Sequence, residues 1–97
     1  MLTRENILSV LQEYKQYFDE QLGVRTIGLF GSYAKGVQKE SSDVDIFIDI
    51  QAPDYHSLLE VLEILESRLH RKIDIVRSGP HLDEKFLHKL KKEIIYA

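Results

Sequence analysis

The chain has 97 residues, of which 43% are hydrophobic and 30% charged, and it carries a formal net charge of −3 with no cysteine. This is the composition of one ordinary globular domain, expected to span residues 1–97, and it excludes disulfides, thiolate metal sites and cysteine nucleophiles. No apolar run approaches the ~20 residues of a membrane span and no signal-like core opens the chain, so a cytoplasmic location without a membrane partner is expected, while the acidic balance argues against a general nucleic-acid binder.

Met1 to Gly23 reads as a helix: Thr3 can cap it, Ile7, Leu11, Tyr14 and Phe18 recur every three or four residues, and Gly23 is a natural stop. A first strand follows over about Arg25–Phe30. The Gly31-Ser32 turn then leads into one helical turn, Tyr33–Lys35, and a polar loop, Gly36–Ser42. The second strand is expected at Asp43–Ile50, with Val44, Ile46, Ile48 and Ile50 on its core face, and a break at Gln51-Ala52-Pro53. A second long helix runs from Asp54 or Tyr55 to His70 on a stripe of Leu58, Leu62, Leu65 and Leu69. A short third strand, Lys72–Arg77, alternates Ile73 and Ile75 with Asp74 and Val76. After Ser78-Gly79-Pro80 a last helix is predicted over Leu82–Tyr96, with Phe86, Leu90 and Ile94 inward.

The order is therefore α-β-turn-β-α-β-α, an α/β fold with a small mixed sheet of about three strands and flanking helices. A helical crossover joins the second and third strands, so they should run parallel. Parallel strands start at one end of the sheet, which brings Asp74 near Asp43 and Asp45. For Gly31 and Ser32 to reach that end, the first strand must be antiparallel to the second.

The chemistry follows from these residue types. Glycine lets a backbone come close to a phosphate, and Ser32 adds a hydroxyl. Asp43 and Asp45, at i and i+2, point to one face of a strand about 6–7 Å apart. Two carboxylates at that spacing beside a phosphate cradle can hold Mg²⁺ against a nucleoside triphosphate. Each residue also has a plainer reading: the aspartates as a solvated strand edge, Ser32 as a helix cap. Three converging carboxylates gain little without a cation, which favours the chemical reading. Asp49 shares the Asp45 face but lies about 13 Å further along, too far for the same ion. His56, His70, His81 and His88 lack the spacing of a zinc motif or of a Ser-His-Asp arrangement. The Lys85, Lys89, Lys92 row reads as a solvated face, with an acidic partner or nucleic-acid backbone as the alternative.

With Phe30-Gly31-Ser32, ten residues, Asp43-Val44-Asp45 and then Asp74, the chain resembles the minimal nucleotidyltransferases of the DNA polymerase beta-like superfamily over essentially its whole length. The resemblance implies Asp43, Asp45 and Asp74 as catalytic metal ligands for two Mg²⁺ ions, and Gly31, Ser32 and Lys35 as nucleotide-binding residues. Lys35 stands where the family often has arginine, which keeps the charge but loses the bidentate fork. It also implies AMP transfer from ATP onto a hydroxyl, a tyrosine, of a helical HEPN toxin, with the chain acting as antitoxin in a hetero-oligomer. The alternatives are a non-catalytic module that masks the toxin and a small-molecule nucleotidyltransferase, for which the chain offers no second domain to build a pocket.

Overall fold

The computed structural model describes residues 1–51 and 54–97; the break predicted at Gln51-Ala52-Pro53 therefore falls partly on residues outside the described set. The first helix, α1 (Arg4–Leu22), begins at a capping box in which the Thr3 hydroxyl accepts from the Asn6 N–H at 3.1 Å and the Asn6 side chain accepts from the Thr3 N–H at 3.2 Å. It stops at Gly23, whose φ of 73° is a left-handed conformation that few other residues adopt without strain. Ile7, Leu11 and Phe18 are completely buried, as their spacing requires.

The strands β1 (Val24–Phe30) and β2 (Val44–Ile50) pair antiparallel, and β2 pairs parallel with β3 (Ile73–Arg77) across the helix α3 (Tyr55–Leu69). Between β1 and β2 lies the short helix α2 (Gly31–Lys35). One face of β2 offers Val44, Ile46, Ile48 and Ile50 to the main core, together with Ile7, Leu11 and Phe18 of α1 and Val61, Leu65 and Leu69 of α3. By alternation the other face carries Asp45, Phe47 and Asp49.

At the C-terminal end the structure departs from the predicted pattern. The last helix, α4, covers Glu84–Glu93, and Ile95–Tyr96 form a fourth strand, β4, so the sheet order is β3-β2-β1-β4. Ile94 already has extended geometry (φ −65°, ψ 134°). The free edge of β1 takes up the backbone groups that follow it, with Gly28 opposite Tyr96 and Leu29 opposite Ile95. Three consecutive residues of high strand propensity, Ile94-Ile95-Tyr96, favour this over another helical turn. Of the predicted stripe, Leu90 is buried at 2% exposure but Phe86 is 41% exposed. On α3 the inward face is Val61, Leu65 and Leu69, whereas Leu58 and Leu62 are only partly buried.

Gly28 is what lets β4 dock. A Cβ there would stand 2.5 Å from Ile94 Cγ2 and 3.0 Å from the Ile95 carbonyl oxygen. We expect Gly28→Ala to destabilise the fold by about 1–3 kcal/mol, the usual range for overpacking. Denaturant unfolding and amide exchange check this, with the Ala97 N–H, bonded to the Ile27 carbonyl at 3.0 Å, losing protection first.

Candidate active site

Each element delivers one part of the site to the same end of the sheet. Because β1 and β2 are antiparallel, Phe30, the last residue of β1, lies opposite Asp45. Because β2 and β3 are parallel, Asp74 lies opposite Asp45 on the other side. Residues opposite one another share a face, so Asp45 and Asp74 project together. Asp43 precedes β2 by one residue, where the Val44 N–H donates to the Lys72 carbonyl at 2.9 Å and starts the pairing with β3. The loop before it is closed by the Ser42 hydroxyl, which accepts from the Lys39 N–H at 2.9 Å.

Gly31 opens α2 with φ +76°, and a Cβ at this position would meet Asp45 Oδ2 at 2.1 Å. The positive φ favours glycine, and the carboxylate of Asp45 occupies the space it leaves, so a side chain here would displace that carboxylate. The turn is held firmly. Tyr33, at 2% exposure, and Ala34 sit in the main core, and Arg4 Nη1 donates to the Ala34 carbonyl at 3.0 Å. Ser32, half-buried, follows Gly31 with its carbonyl accepting from the Val37 N–H at 3.0 Å.

Burial, then the negative charges of Asp74 and Asp43, hold the Asp45 carboxyl above its ordinary pKa of 3.8. The site is thus a partly buried carboxylate that feels the charges of two others. Every candidate ligand is an oxygen, the donor set that hard cations such as Mg²⁺ prefer. Among the described residues no three His, Asp or Glu side chains already stand as a complete metal cage. A cation shared with a triphosphate does not need one, since Mg²⁺ usually takes only one or two carboxylates alongside phosphate oxygens and water. On donor chemistry and on charge, these residues fit such an ion.

Lys35 is paired with a different acid. Its Nζ makes a 3.1 Å ion pair with Glu93 near the end of α4. The periodicity also concealed one feature. Beside Asp74, between α3 and the outer edge of β3, runs an open groove of about 300 Å³ lined by Tyr55, Leu59, Leu62, Ile75 and Arg77. The signal for it was Leu59, an apolar residue off the predicted α3 stripe, next to a tyrosine at the start of that helix.

The raised Asp45 pKa has a definite sign. The folded protein binds this proton more tightly than the unfolded chain does, so the stabilisation is complete below pH 3.8 and is lost as pH rises through the folded value. Without metal, Asp45→Asn should therefore be more stable than the parent at pH 7, by up to about 1 kcal/mol once solvent screening of these partly exposed charges is allowed for. The difference should shrink as pH falls towards 4. Melting in EDTA across this range checks it, and a variant less stable at pH 7 would make Asp45 a structural residue.

Residues 12–97 match the family model described as polymerase beta, nucleotidyltransferase. The chain is 39% identical over 98 residues to the protein adenylyltransferase MntA of Thermococcus cleftensis, covering 100% of this chain and 98% of that protein. Among solved structures it superposes on a provisionally assigned minimal nucleotidyltransferase with a TM-score of 0.78 at 24% identity, covering 97% of this chain and 95% of the other. It also superposes on a Shewanella oneidensis structure, a tri-AMPylated HEPN toxin in complex with MNT antitoxin, with a TM-score of 0.63 at 19% identity over 98% of this chain and 71% of that one. These two likenesses speak to the fold. The family match and the full-length relative go further, and they agree with a Gly-Ser turn and two aspartate-bearing strands meeting at Asp45: the chain belongs to the polymerase beta-type nucleotidyltransferase family.

Proposed function

We propose that this chain is a Mg²⁺-dependent protein adenylyltransferase that moves AMP from ATP onto a tyrosine hydroxyl of a HEPN toxin and so acts as its antitoxin. The observation that carries the reading is the placing of the Asp45 carboxylate against the side-chain-free Gly31 and in register with Asp74, where burial and the charges of Asp74 and Asp43 disfavour its ionised form and a bound cation would offset them. The 39% identical adenylyltransferase and the AMP-bearing toxin of the S. oneidensis complex support the choice of group transferred and of partner.

Asp43, Asp45 and Asp74 would hold the two Mg²⁺ ions, which when bound neutralise the triphosphate and acidify the acceptor hydroxyl. Asp43, just before β2, and Asp45, on it, orient the nucleotide, and Gly31 and Ser32 hold the terminal phosphates through a backbone N–H and a hydroxyl. Asp74, on the edge strand, is the carboxylate nearest an incoming acceptor. The acceptor hydroxyl releases its proton to solvent as its oxygen bonds to the α-phosphorus in line, the bond from the α-phosphorus to the bridging oxygen breaks, and pyrophosphate leaves. Lys35 takes part by leaving Glu93 for the phosphates. The pair is only partly exposed, at 52% for the Lys35 side chain and 23% for that of Glu93, and a triphosphate carrying several charges competes with the single carboxylate for the ammonium.

An enzyme and a masking module differ in stoichiometry. Given ATP and Mg²⁺, a trace of this chain should inactivate a large excess of toxin, and the inactivation should survive separation of the two proteins. A masking module must be present one-to-one and its effect ends on dissociation. The Asp43→Asn/Asp45→Asn double variant should keep toxin binding and lose the persistent effect. Neutralisation that requires equimolar protein and survives both substitutions would establish masking instead.

A further inference from the structure

The groove beside Asp74 has two properties that belong together. It is apolar and open, with Tyr55 77% exposed and Leu59 39% exposed. It also follows a strand edge, because β3 ends the sheet order β3-β2-β1-β4 and no described strand pairs with its outer side.

The hydrogen bonds show which residues of β3 face outward. The Lys72 carbonyl accepts from Val44 at 2.9 Å and the Ser78 N–H donates to Ile48 at 2.8 Å, so the even-numbered residues between them turn their backbone groups towards β2. By alternation, Ile73, Ile75 and Arg77 turn their N–H and C=O groups to the outside. These three residues line the groove. An extended segment added there would find main-chain partners and side-chain pockets at the same positions, the arrangement used in strand addition.

We propose that the edge of β3 is the acceptor-docking site: it binds, by strand addition, an extended segment of the protein that receives AMP. The proposal rests on the transfer reading above. A residue opposite Asp74 on the added strand would share the face of Asp74 and Asp45, while its two neighbours would face α3 and pack on Tyr55, Leu59 and Leu62. Adjacent strands lie about 4.8 Å apart, so the added backbone runs roughly two spacings from β2. A tyrosine ring carries its hydroxyl further back across that gap than serine or threonine can. Arg77 lies three residues beyond Asp74 and on the groove side. The segment it fits is a tyrosine with apolar residues on both sides and a carboxylate three positions away.

The test uses the full chain with the HEPN toxin as probe and two exposed substitutions, Leu59→Asp and Tyr55→Ser. The KM for toxin should rise about tenfold or more, as for loss of an apolar anchor, while AMP-PNP affinity stays unchanged. Amide exchange gives a readout independent of turnover: added toxin should slow the Ile73, Ile75 and Arg77 N–H groups, with the alternate residues already slow. Unchanged KM in both variants, or unchanged exchange at the three amides with toxin bound, overturns the proposal even where AMP transfer is confirmed. Protection that appears with protein concentration alone also overturns it, by giving the edge to a second copy. If the parent protein transfers no AMP, the transfer reading fails by itself and the amides still decide the docking site.

Discussion

The missing side chain at Gly31 is the constraint on which the site depends. Any Cβ there would overlap the carboxylate of Asp45, and the turn also demands a positive φ. One glycine therefore reconciles two needs: a backbone bend that ends β1, and an acid that must sit hard against that bend. The rest of the fold serves to keep the two in register. Antiparallel pairing carries the turn to the start of β2, parallel pairing carries Asp74 alongside, and Tyr33 and Ala34 anchor the turn in the core. Since the acids are held by sheet register, their mutual repulsion cannot be relaxed by separating the strands without losing Val44 and Ile46 from the core.

Most of this was legible because it is local or follows from topology. The 3.6-residue periods of Ile7, Leu11 and Phe18, the cap at Thr3 and the stop at Gly23 need only their neighbours. The meeting of Asp45 with Asp74 is not local, yet it follows once a helical crossover makes two strands parallel. What escaped depended on distant partners. Phe86, Leu90 and Ile94 satisfy a helical period, and only the vacant edge of β1 with the clearance at Gly28 turns Ile95 and Tyr96 into a strand. Likewise Leu58 and Leu62 satisfy the stripe of α3, yet both line the open groove beside β3 and are only partly buried. Lys35 meets Glu93 because α4 returns past α2, which no pattern near Lys35 announces.

The two edges of the sheet have different fates. At one, the chain covers β1 with its own β4. At the other, no described strand covers β3, which runs beside an apolar groove and Asp74. An open edge flanked by apolar side chains invites aggregation unless it has a use. Under the docking proposal its position next to Asp74 gives it one: the acceptor segment would supply the strand that completes the sheet.

Burial, with the neighbouring charges of Asp74 and Asp43, disfavours the ionised form of Asp45, and a bound cation should offset it. Carbon-detected NMR titration of the Asp45 carboxyl tests this at the atom concerned, in metal-free protein and again with Mg²⁺ and AMP-PNP. The account predicts a pKa above the ordinary 3.8 without metal and a clear fall when both are added. A value at or below 3.8 in the metal-free protein, unmoved by Mg²⁺ and nucleotide, would contradict it.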